Sequence, residues 1–253
     1  MNQKNQEINH LSHGHFAMLE NNVGLSENRN LLAKKSIYEH LLFIDGDSAI
    51  PSNNYLNDYI KLLPYQGIIY GGRKHPEICP SAVQRFRWSY GKYKEDKTAK
   101  ERAKTPYQSL IFNNTLIHKK NFEAIKFDRT INTYGHEDTM FAYRAKIESI
   151  SVTHIDNPVI HDDIDENAVF LKKMHSSVQN LHTLYHKKLL PSDFVKLLKY
   201  YTAIKRFGLQ NLCGHIYMTF EKKIHKNLVS NKPSLLFFDF FKIGYFCSLN
   251  PKK

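Results

Sequence analysis

Two aspartates separated by one glycine directly follow an apolar run, in the stretch "LLFIDGDSAI" (41–50). Side chains two residues apart in an extended segment point the same way, so Asp45 and Asp47 are expected to face one ligand. Gly46 would let the backbone approach that ligand closely. Neighbouring carboxylates repel each other unless a cation or a proton lies between them, so the pair suits a hard divalent cation, Mg²⁺ or Mn²⁺. The alternative is a solvated turn, in which Asp and Gly are common residues.

Two later segments carry side chains suited to acid–base or metal chemistry. The segment "YGHEDTMFAYRA" (134–145) places Glu137 and Asp138 at the start of a predicted helix. Acidic residues there complement the helix dipole, and Asp138 is equally suited to act as a general base. The segment "NPVIHDD" (157–163) ends a predicted strand with His161, which is either a metal ligand or a structural side chain. The residues alone leave both alternatives open.

The elements that would position these side chains alternate between strand and helix. Apolar, β-rich segments predict strands, and periodic apolar segments predict helices. The predicted strands are 41–45, 67–72, 109–118 and 149–161, and the predicted helices are 26–40, 52–63 and 137–148. This order predicts an α/β domain, in which ligands lie beyond the carboxyl ends of strands. The highly charged segment 92–105 is predicted to be a mobile loop or an exposed helix.

The net charge divides the chain into two parts. The whole chain carries a formal charge of +12, and residues 167–253 hold 15 Lys and Arg against three Asp and Glu. The preceding part is therefore neutral. The sequence predicts a domain over 1–165 and a basic, helical C-terminal extension over 166–253. Such an extension indicates an anionic partner, either nucleic acid or an anionic membrane surface.

Composition excludes several classes of protein. Three cysteines with no CxxC spacing indicate neither a disulfide framework nor a zinc site, and a reducing compartment is expected. The polar start "MNQKNQEINH" does not resemble a signal peptide, and no apolar run is long enough to span a bilayer. A cytoplasmic location is therefore expected. No nucleic-acid-binding module is recognisable, so no nucleic-acid partner is expected.

The order of several short motifs resembles that of a known family. Along the chain these are "NNVGLSENRN", "LLFIDGDS", "YGGR", "FNNTLIHKKNF", "YGHEDTMFAYR" and "NPVIHDD". Together they resemble the family 2 glycosyltransferases with the GT-A fold, over roughly residues 20–163. The resemblance implies a GT-A-like, Rossmann-like mixed sheet flanked by helices. It also implies an inverting, metal-dependent transfer of a sugar from a nucleotide-sugar donor to a glycan or lipid-linked hydroxyl acceptor.

The resemblance assigns roles by position. Asp47 would be the main metal ligand, His161 would complete the coordination of Mn²⁺ or Mg²⁺, and Asp45 would contact the metal or the nucleotide ribose. Asp138 matches the general base, and Glu137 would position either that base or the acceptor. The remaining residues implied to bind the nucleotide sugar are Arg29, Asn30, Gly71, Gly72, Asn113 and Asn114. For the two glycines, strand termination is an equally good interpretation.

One departure from the family pattern bears on activity. Family members open with a strand such as "SIIIPTYN" and a second strand ending in "DDGS", which cradle the base and ribose of the donor. None of the 21 residues before Asn22 resembles either strand. The expectation is a chain that lacks the first part of the nucleotide-binding half, which puts the activity of this chain in question.

Other interpretations compete with the glycosyltransferase. "LLFIDGDSAI" also resembles the first motif of haloacid dehalogenase-type phosphatases, in which the first Asp is a nucleophile. That family does not account for "GHED". A non-catalytic remnant that binds surfaces is a further alternative. The basic C-terminal region is either an interfacial element, peripheral on the inner membrane face, or a set of helices packed on the catalytic domain.

Overall fold

The computed structural model describes residues 13–131 and 133–249. The protein is a mixed α/β fold in which two small sheets are flanked by helices. The strands are β1 (His40–Ile44), β2 (Ser48–Ala49), β3 (Ile68–Tyr70), β4 (Arg73–Lys74), β5 (Asn114–His118), β6 (Val152–His154) and β7 (Val159–His161).

The helices are α1 (Gly24–Lys35), α2 (Tyr55–Ile60), α3 (Arg85–Tyr90), α4 (Ala99–Arg102), α5 (Lys119–Ile125), α6 (Glu137–Ile147), α7 (Asn167–His186), α8 (Lys196–Arg206), α9 (Gln210–Leu228) and α10 (Leu235–Ser248). A 3₁₀ turn (Ala82–Gln84) precedes α3, and a π-helical turn (Gly91–Glu95) follows it. Residues 1–12, part of the segment predicted to lack the opening strands, lie outside the described residues. Between residues 13 and 23 the described chain contains no strand.

The larger sheet has the strand order β1-β5-β3-β6. Strand β5 pairs antiparallel with both β1 and β3, while β3 and β6 run parallel. The apolar side chains of these strands alternate between two sides, and one side contacts the central core through Phe43, Ile68 and Ile117. The predicted strand at 41–45 is confirmed to within one residue at each end, so Asp45 follows the last residue of β1 directly.

The smaller sheet brings three distant segments together, in the order β2-β7-β4. Strand β7 is central: His161 lies opposite Ser48 on the antiparallel strand β2, and Val159 lies beside Arg73 on the parallel strand β4. The amide of Asp162 also donates to the carbonyl of Asp47 at 3.2 Å. This pairing places the segment after Gly46 and the end of β7 at one edge of the molecule.

The C-terminal helices share their core with the sheets. The central cluster joins Phe43, Phe112 and Phe141 to Leu181 of α7 and Phe246 of α10. A second cluster packs Phe86 of α3 against helices α7, α9 and α10. The predicted helical character of this region is confirmed, and its apolar faces are largely used in packing. In the described ranges, no helix combines the length and apolar character needed to cross a membrane.

Most of segment 92–105 is exposed and part of it is helical, as predicted, but two of its side chains are held by tertiary contacts. Arg102 is buried, and its guanidinium donates to the carbonyls of Ile155 (2.7 Å) and Lys97 while lying 5.0 Å from the ring centroid of Tyr70. Glu95 is held among arginines from other elements. Helix α4 begins at Ala99, and its N-cap Thr98 forms a reciprocal capping box with Glu101. Tertiary ion pairs and hydrogen bonds therefore fix a segment whose composition is typical of a solvated loop.

Candidate functional site

A cleft of about 460 Å³ opens at the carboxyl end of β1, between α1 and the smaller sheet. Asp45, Gly46 and Asp47 lie on its wall together with His161, as the sequence predicts. Both aspartate side chains are more than one-third exposed, so their carboxylates are accessible from the cleft. The remaining polar side chains of the wall are Asn28, Arg29, Arg73, Arg87, Asn113, Tyr134, Asp163, Asp165 and Lys173.

Arg29 joins the two acidic segments that the sequence singles out. Its guanidinium donates to Asp138 Oδ1 at 2.8 Å and to Asp45 Oδ1 at 3.1 Å. Burial opposes the charge of Arg29, but Asp138 and Asp45 outweigh that penalty and raise the pKa of the guanidinium. The α1 helix presents Arg29 towards the first turn of α6, and the ring of Phe127 lies 5.2 Å beneath the guanidinium. Arg29 therefore fixes the position of Asp138 relative to the Asp45 end of the cleft.

Asp138 lies behind Arg29 and is the more enclosed of the two carboxylates. Its Oδ2 accepts a hydrogen bond from the amide of Phe112 at 3.3 Å. Burial raises the pKa of Asp138, while the charge of Arg29 acts in the opposite direction. Neither contact is with an amide of helix α6, so these contacts do not make Asp138 a helix cap. Both carboxylate oxygens therefore have protein partners, and Asp138 lies behind the cleft wall rather than on it.

Glu137 faces a second cavity, of about 560 Å³, which adjoins the first through Leu25, Asn28 and Tyr134. The turn before α6 bends through Gly135, whose φ of +105° favours glycine. The amide of Gly135 donates to Glu137 Oε2 at 2.9 Å. Burial, followed by the charge of Asp138, raises the pKa of Glu137 to about 7. Glu137 is therefore poised to exchange a proton near neutral pH.

Asp47 and His161 form the other half of the cleft. Asp47 Oδ2 lies 3.4 Å from His161 Nδ1, across the paired strands β2 and β7. The hydrogen bond from His161 lowers the pKa of Asp47, with a smaller contribution from the charge of Arg73. The carboxylate is therefore ionised at neutral pH, the form that a metal ion requires.

The donor set suits a divalent cation that shares its coordination with a substrate. In the described part of the chain, no three His, Cys, Asp or Glu side chains are arranged to hold a metal ion by themselves. Mg²⁺ commonly uses one or two carboxylates and completes its shell with water and phosphate oxygens. Asp45 and Asp47 provide such carboxylates, and a buried, unpartnered Asn113 Oδ1 on the cleft wall adds an uncharged oxygen. The residues present fit an ion held jointly with a phosphate ligand.

Several residues implied by the resemblance lie outside the cleft. Asn114 is fully buried, with its Oδ1 accepting from Tyr55 and Tyr59 and its Nδ2 donating to the carbonyls of Gly72 and Asn157. The amide of Asn30 makes both of its hydrogen bonds, at 3.0 Å, with the backbone of Phe127. The sugar-pocket and nucleotide roles inferred for Asn114 and Asn30 are thus replaced by structural ones.

Gly71 and Gly72 also serve packing. A Cβ on Gly71 would lie 2.2 Å from the hydroxyl of Tyr59, and one on Gly72 would lie 2.5 Å from Arg102. Gly72 additionally has a φ of +91°, which side chains other than glycine rarely adopt. The structure places neither glycine on the cleft wall, so their predicted place in a sugar pocket is corrected to strand termination and close packing.

The structure adds a group of basic residues that sequence reasoning passed over. Arg73, Arg87 and Lys173 all lie on the cleft wall. Only Arg73 stood within a quoted motif, "YGGR", and nothing in its sequence context assigned it a role. These residues come from β4, α3 and α7, so their proximity depends on the tertiary fold. The cleft is therefore a mixed site of aspartates and cations rather than a purely acidic one.

Comparisons with known proteins leave the site to be interpreted from its own geometry. No family model matches the chain, and a search of curated proteins finds no significantly similar sequence.

Proposed function

We propose that the protein is an inverting glycosyltransferase that uses a nucleotide-sugar donor and a hydroxyl acceptor. The observation that carries this proposal is the Arg29 bridge between Asp45 and Asp138 beside the accessible Asp47–His161 pair. Arg29 connects the Asp45 and Asp47 end of the cleft, which suits a cation bound to a diphosphate, with Asp138, which suits proton transfer. The resemblance in motif order to the GT-A family 2 enzymes supports the same assignment.

Residues of the cleft and of its surroundings would have separate roles in the transfer. Asp45, Asp47 and His161 would hold Mn²⁺ or Mg²⁺, which when bound offsets the charge that develops on a leaving diphosphate. Asp138, which lies behind Arg29 and lines neither cavity, would accept the proton of the acceptor hydroxyl, and Glu137 would orient the acceptor from the adjoining cavity. The hydroxyl oxygen then forms a bond to the anomeric carbon, and the bond from that carbon to the diphosphate oxygen breaks. Its electron pair leaves with the diphosphate, and the anomeric configuration inverts.

The adjoining cavity suits the acceptor. Its wall combines apolar side chains, including Leu25 and Ile131, with the carboxylate of Glu137. Sugar rings have both apolar faces and hydroxyl groups, so a mixed wall of this kind suits a glycan or lipid-linked acceptor. Tyr134 and Asn28 line both this cavity and the aspartate cleft, so a donor and an acceptor bound there would lie side by side.

An experiment on the purified chain separates this function from its competitors. The chain is incubated with Mn²⁺ and a panel of nucleotide sugars, and the release of nucleoside diphosphate is measured. A parallel incubation contains a phosphate monoester. Release of nucleoside diphosphate from one donor supports the glycosyltransferase, because many transferases hydrolyse donor slowly to water. Cleavage of the monoester alone favours the phosphatase alternative, and a lack of either reaction favours a non-catalytic surface-binding protein.

We also propose that helix α9 contacts an anionic membrane at the cytoplasmic face. One side of α9 packs inwards through Gly214, Tyr217 and Ile224. The opposite side exposes an apolar stripe at helical spacing, formed by Leu212 (56% exposed), Ile216 (38%) and Phe220 (45%). A stripe of this kind next to lysines is typical of helices that lie in a membrane interface.

The charge around the stripe matches an anionic surface. Lys223 Nζ lies 5.5 Å from the ring centroid of Phe220, and the same helix carries Lys222 and Lys226. The aliphatic stems of lysines can cover apolar surface while their ammonium groups reach anionic headgroups. Membrane contact would bring a soluble donor and a lipid-linked acceptor to the same enzyme.

A further inference from the structure

Two buried arginines on the cleft wall share a single carboxylate. Arg73 Nη2 lies 2.7 Å from Glu95 Oε1, and Arg87 Nη1 lies 2.8 Å from Glu95 Oε2. The side chains of Arg73, Arg87 and Glu95 are 14%, 6% and 18% exposed. Arg73 begins β4, Arg87 lies in α3 and Glu95 ends the π-helical turn, so three separate elements build the cluster.

In the described chain, Glu95 is the one carboxylate within ion-pair distance of either guanidinium group. Burial opposes ionisation of Glu95, but Arg73 and Arg87 outweigh burial and lower its pKa to about 2. Glu95 is therefore ionised and neutralises only one of the two guanidinium groups. His75 lies 3.6 Å from Glu95 and hydrogen-bonds to Asp96, a second carboxylate of the cluster, and its ring centroid is 5.4 Å from that of His161 on the cleft wall. Burial lowers the pKa of His75, so the imidazole adds no charge at neutral pH.

The other cations of the cleft are already neutralised. Lys173 donates to both carboxylate oxygens of Asp165, at 2.8 and 2.7 Å. Arg29 is shared between Asp45 and Asp138. Of the four cationic side chains on the wall, only Arg73 and Arg87 share one directly paired carboxylate between two cations. The buried Nε of Arg73 also lacks a hydrogen-bond partner in the described chain.

The arginine pair lies near the aspartates rather than in a remote part of the cleft. In the smaller sheet, β7 separates β2, which follows Asp47, from β4, which begins at Arg73. Arg73, Arg87, Asp45 and Asp47 line the same cleft, so one ligand in the cleft can reach both groups. A diphosphate bridging this short distance would meet the aspartates at one end and the guanidinium groups at the other.

We propose that Arg73 and Arg87 form a phosphate subsite that binds the donor diphosphate directly, without a metal ion. The proposal rests on the proposed function for the identity of the ligand, although the subsite itself follows from the two cleft-wall arginines that share one carboxylate. Guanidinium groups present paired N–H donors that match the oxygens of a phosphate, and charge-assisted hydrogen bonds of this kind are strong. Arg73 and Arg87, together with a metal ion when one is bound, would then offset the negative charge of the leaving diphosphate.

Inorganic pyrophosphate is a suitable probe, because it needs no knowledge of the base or the sugar. The single tryptophan, Trp88, is adjacent in sequence to Arg87 and provides a fluorescence signal. The full chain is titrated with pyrophosphate in EDTA at fixed ionic strength, with isothermal calorimetry as a second readout. Saturable binding in EDTA is expected. Binding that requires Mn²⁺ would overturn the proposal.

Three variants locate the binding. Arg73→Gln leaves Arg87 and Glu95 as a neutral pair and should weaken pyrophosphate binding about 10–100-fold, the loss expected for one charge-assisted contact. Lys173→Gln lies in the same cleft and should change binding less than about threefold, because Asp165 already neutralises Lys173. Arg73→Lys keeps the charge and the packing but loses the guanidinium fork, so it should also weaken binding. Equal losses in the Lys173 and Arg73 variants would contradict a specific subsite.

Further measurements test the identity of the ligand and test the subsite independently of the proposed glycosyltransferase activity. Glucuronate presents a carboxylate, and binding as tight as that of pyrophosphate would overturn the assignment to phosphate. Pyrophosphate binding that depends on Arg73 but is accompanied by no cleavage of any nucleotide sugar would support the subsite and contradict the glycosyltransferase. Cleavage of a donor that is indifferent to Arg73→Gln and Arg73→Lys would support the glycosyltransferase and overturn the subsite.

Discussion

Asp47 and His161 face each other across two antiparallel strands, with the carboxylate Oδ2 of one 3.4 Å from the imidazole Nδ1 of the other. The two residues are 114 positions apart in sequence, and the smaller sheet alone brings them together. Both side chains lie on the cleft wall. The pair therefore belongs to the site rather than to the core, and its role can be tested without dismantling the fold.

Asp47→Asn should weaken metal-dependent donor binding before it affects stability. The substitution keeps the size of the side chain but removes the charge that a divalent cation requires, and a loss of about 10–100-fold in donor affinity is expected in Mn²⁺. Calorimetric titration of a nucleotide sugar with Mn²⁺ and with EDTA gives the comparison. Asp163→Asn, on the same wall, is the control. Equal effects of the two substitutions would remove Asp47 from the metal site.

Glu137 should make stability fall as the pH rises towards neutrality. Its pKa in the folded protein is about 7, and an unfolded chain releases that proton near pH 4.3. Between these values the folded state binds a proton that the unfolded state has lost, so the free energy of unfolding decreases by up to about 3 kcal/mol. Buried histidines such as His136, whose pKa burial lowers to about 4, act in the opposite direction over the same range, so the contribution of Glu137 is the difference between the parent and Glu137→Gln profiles in denaturant unfolding from pH 4 to 8.

Glu137→Gln should flatten that pH profile and leave the variant more stable than the parent protein above pH 7. Gln can still accept the hydrogen bond from Gly135. The exposed Glu123→Gln serves as the control and should retain the full slope. A Glu137→Gln profile that parallels the parent protein would assign the pH dependence to another group.

Glu95→Gln should destabilise the protein strongly. The substitution leaves two buried guanidinium groups close together without their shared carboxylate, a defect that typically costs about 3–5 kcal/mol. Thermal and denaturant unfolding measure the loss. Glu77→Gln removes an exposed ion pair with Lys92 and should have almost no effect. A stable Glu95→Gln protein would show that the arginine pair needs no internal counter-charge.

The extent to which the sequence predicts this structure depends on how local each signal is. The strand before Asp45 and the helix at 137–148 are predicted almost to the residue, because an apolar run and a helical period both depend on residues that are close in sequence. The burial of Glu95 is not predictable in this way. Its neighbours in "KYKEDK" are charged, and the arginines that hold it come from other elements.

The adjacent residues Asn113 and Asn114 show the same limit within the site. Successive side chains in an extended segment point in opposite directions, so only one of the two can face a ligand. Asn113 lies on the cleft wall, whereas Asn114 points towards Tyr55 and Tyr59. The sequence predicts that this segment is near the site, but the pairing register of β5 decides which asparagine lines it.

The apolar stripe on α9 should bind anionic vesicles with a steep salt dependence. Surface charges attract anionic lipid over about 10 Å at 0.1 M salt, so sedimentation with anionic vesicles should decrease as salt rises. Replacing Ile216 and Phe220 by Ser should reduce binding further, and Ile78→Ser, at a more exposed apolar side chain elsewhere, should not. Salt-independent sedimentation, or binding unaffected by the double substitution, would contradict the membrane proposal.

The most direct test of the central proposal is the rate of nucleoside diphosphate release from nucleotide sugars by the parent chain, Asp138→Asn and Glu137→Gln, with an acceptor present. Folding of each variant is checked first, because Asp138 holds the buried Arg29. The account predicts metal-dependent turnover of one donor, a fall of about 10²–10⁴-fold in Asp138→Asn and unimpaired donor binding. In Glu137→Gln the acceptor KM should rise more than the rate falls. No turnover of any donor, or a folded Asp138→Asn protein with an unchanged rate, would contradict it.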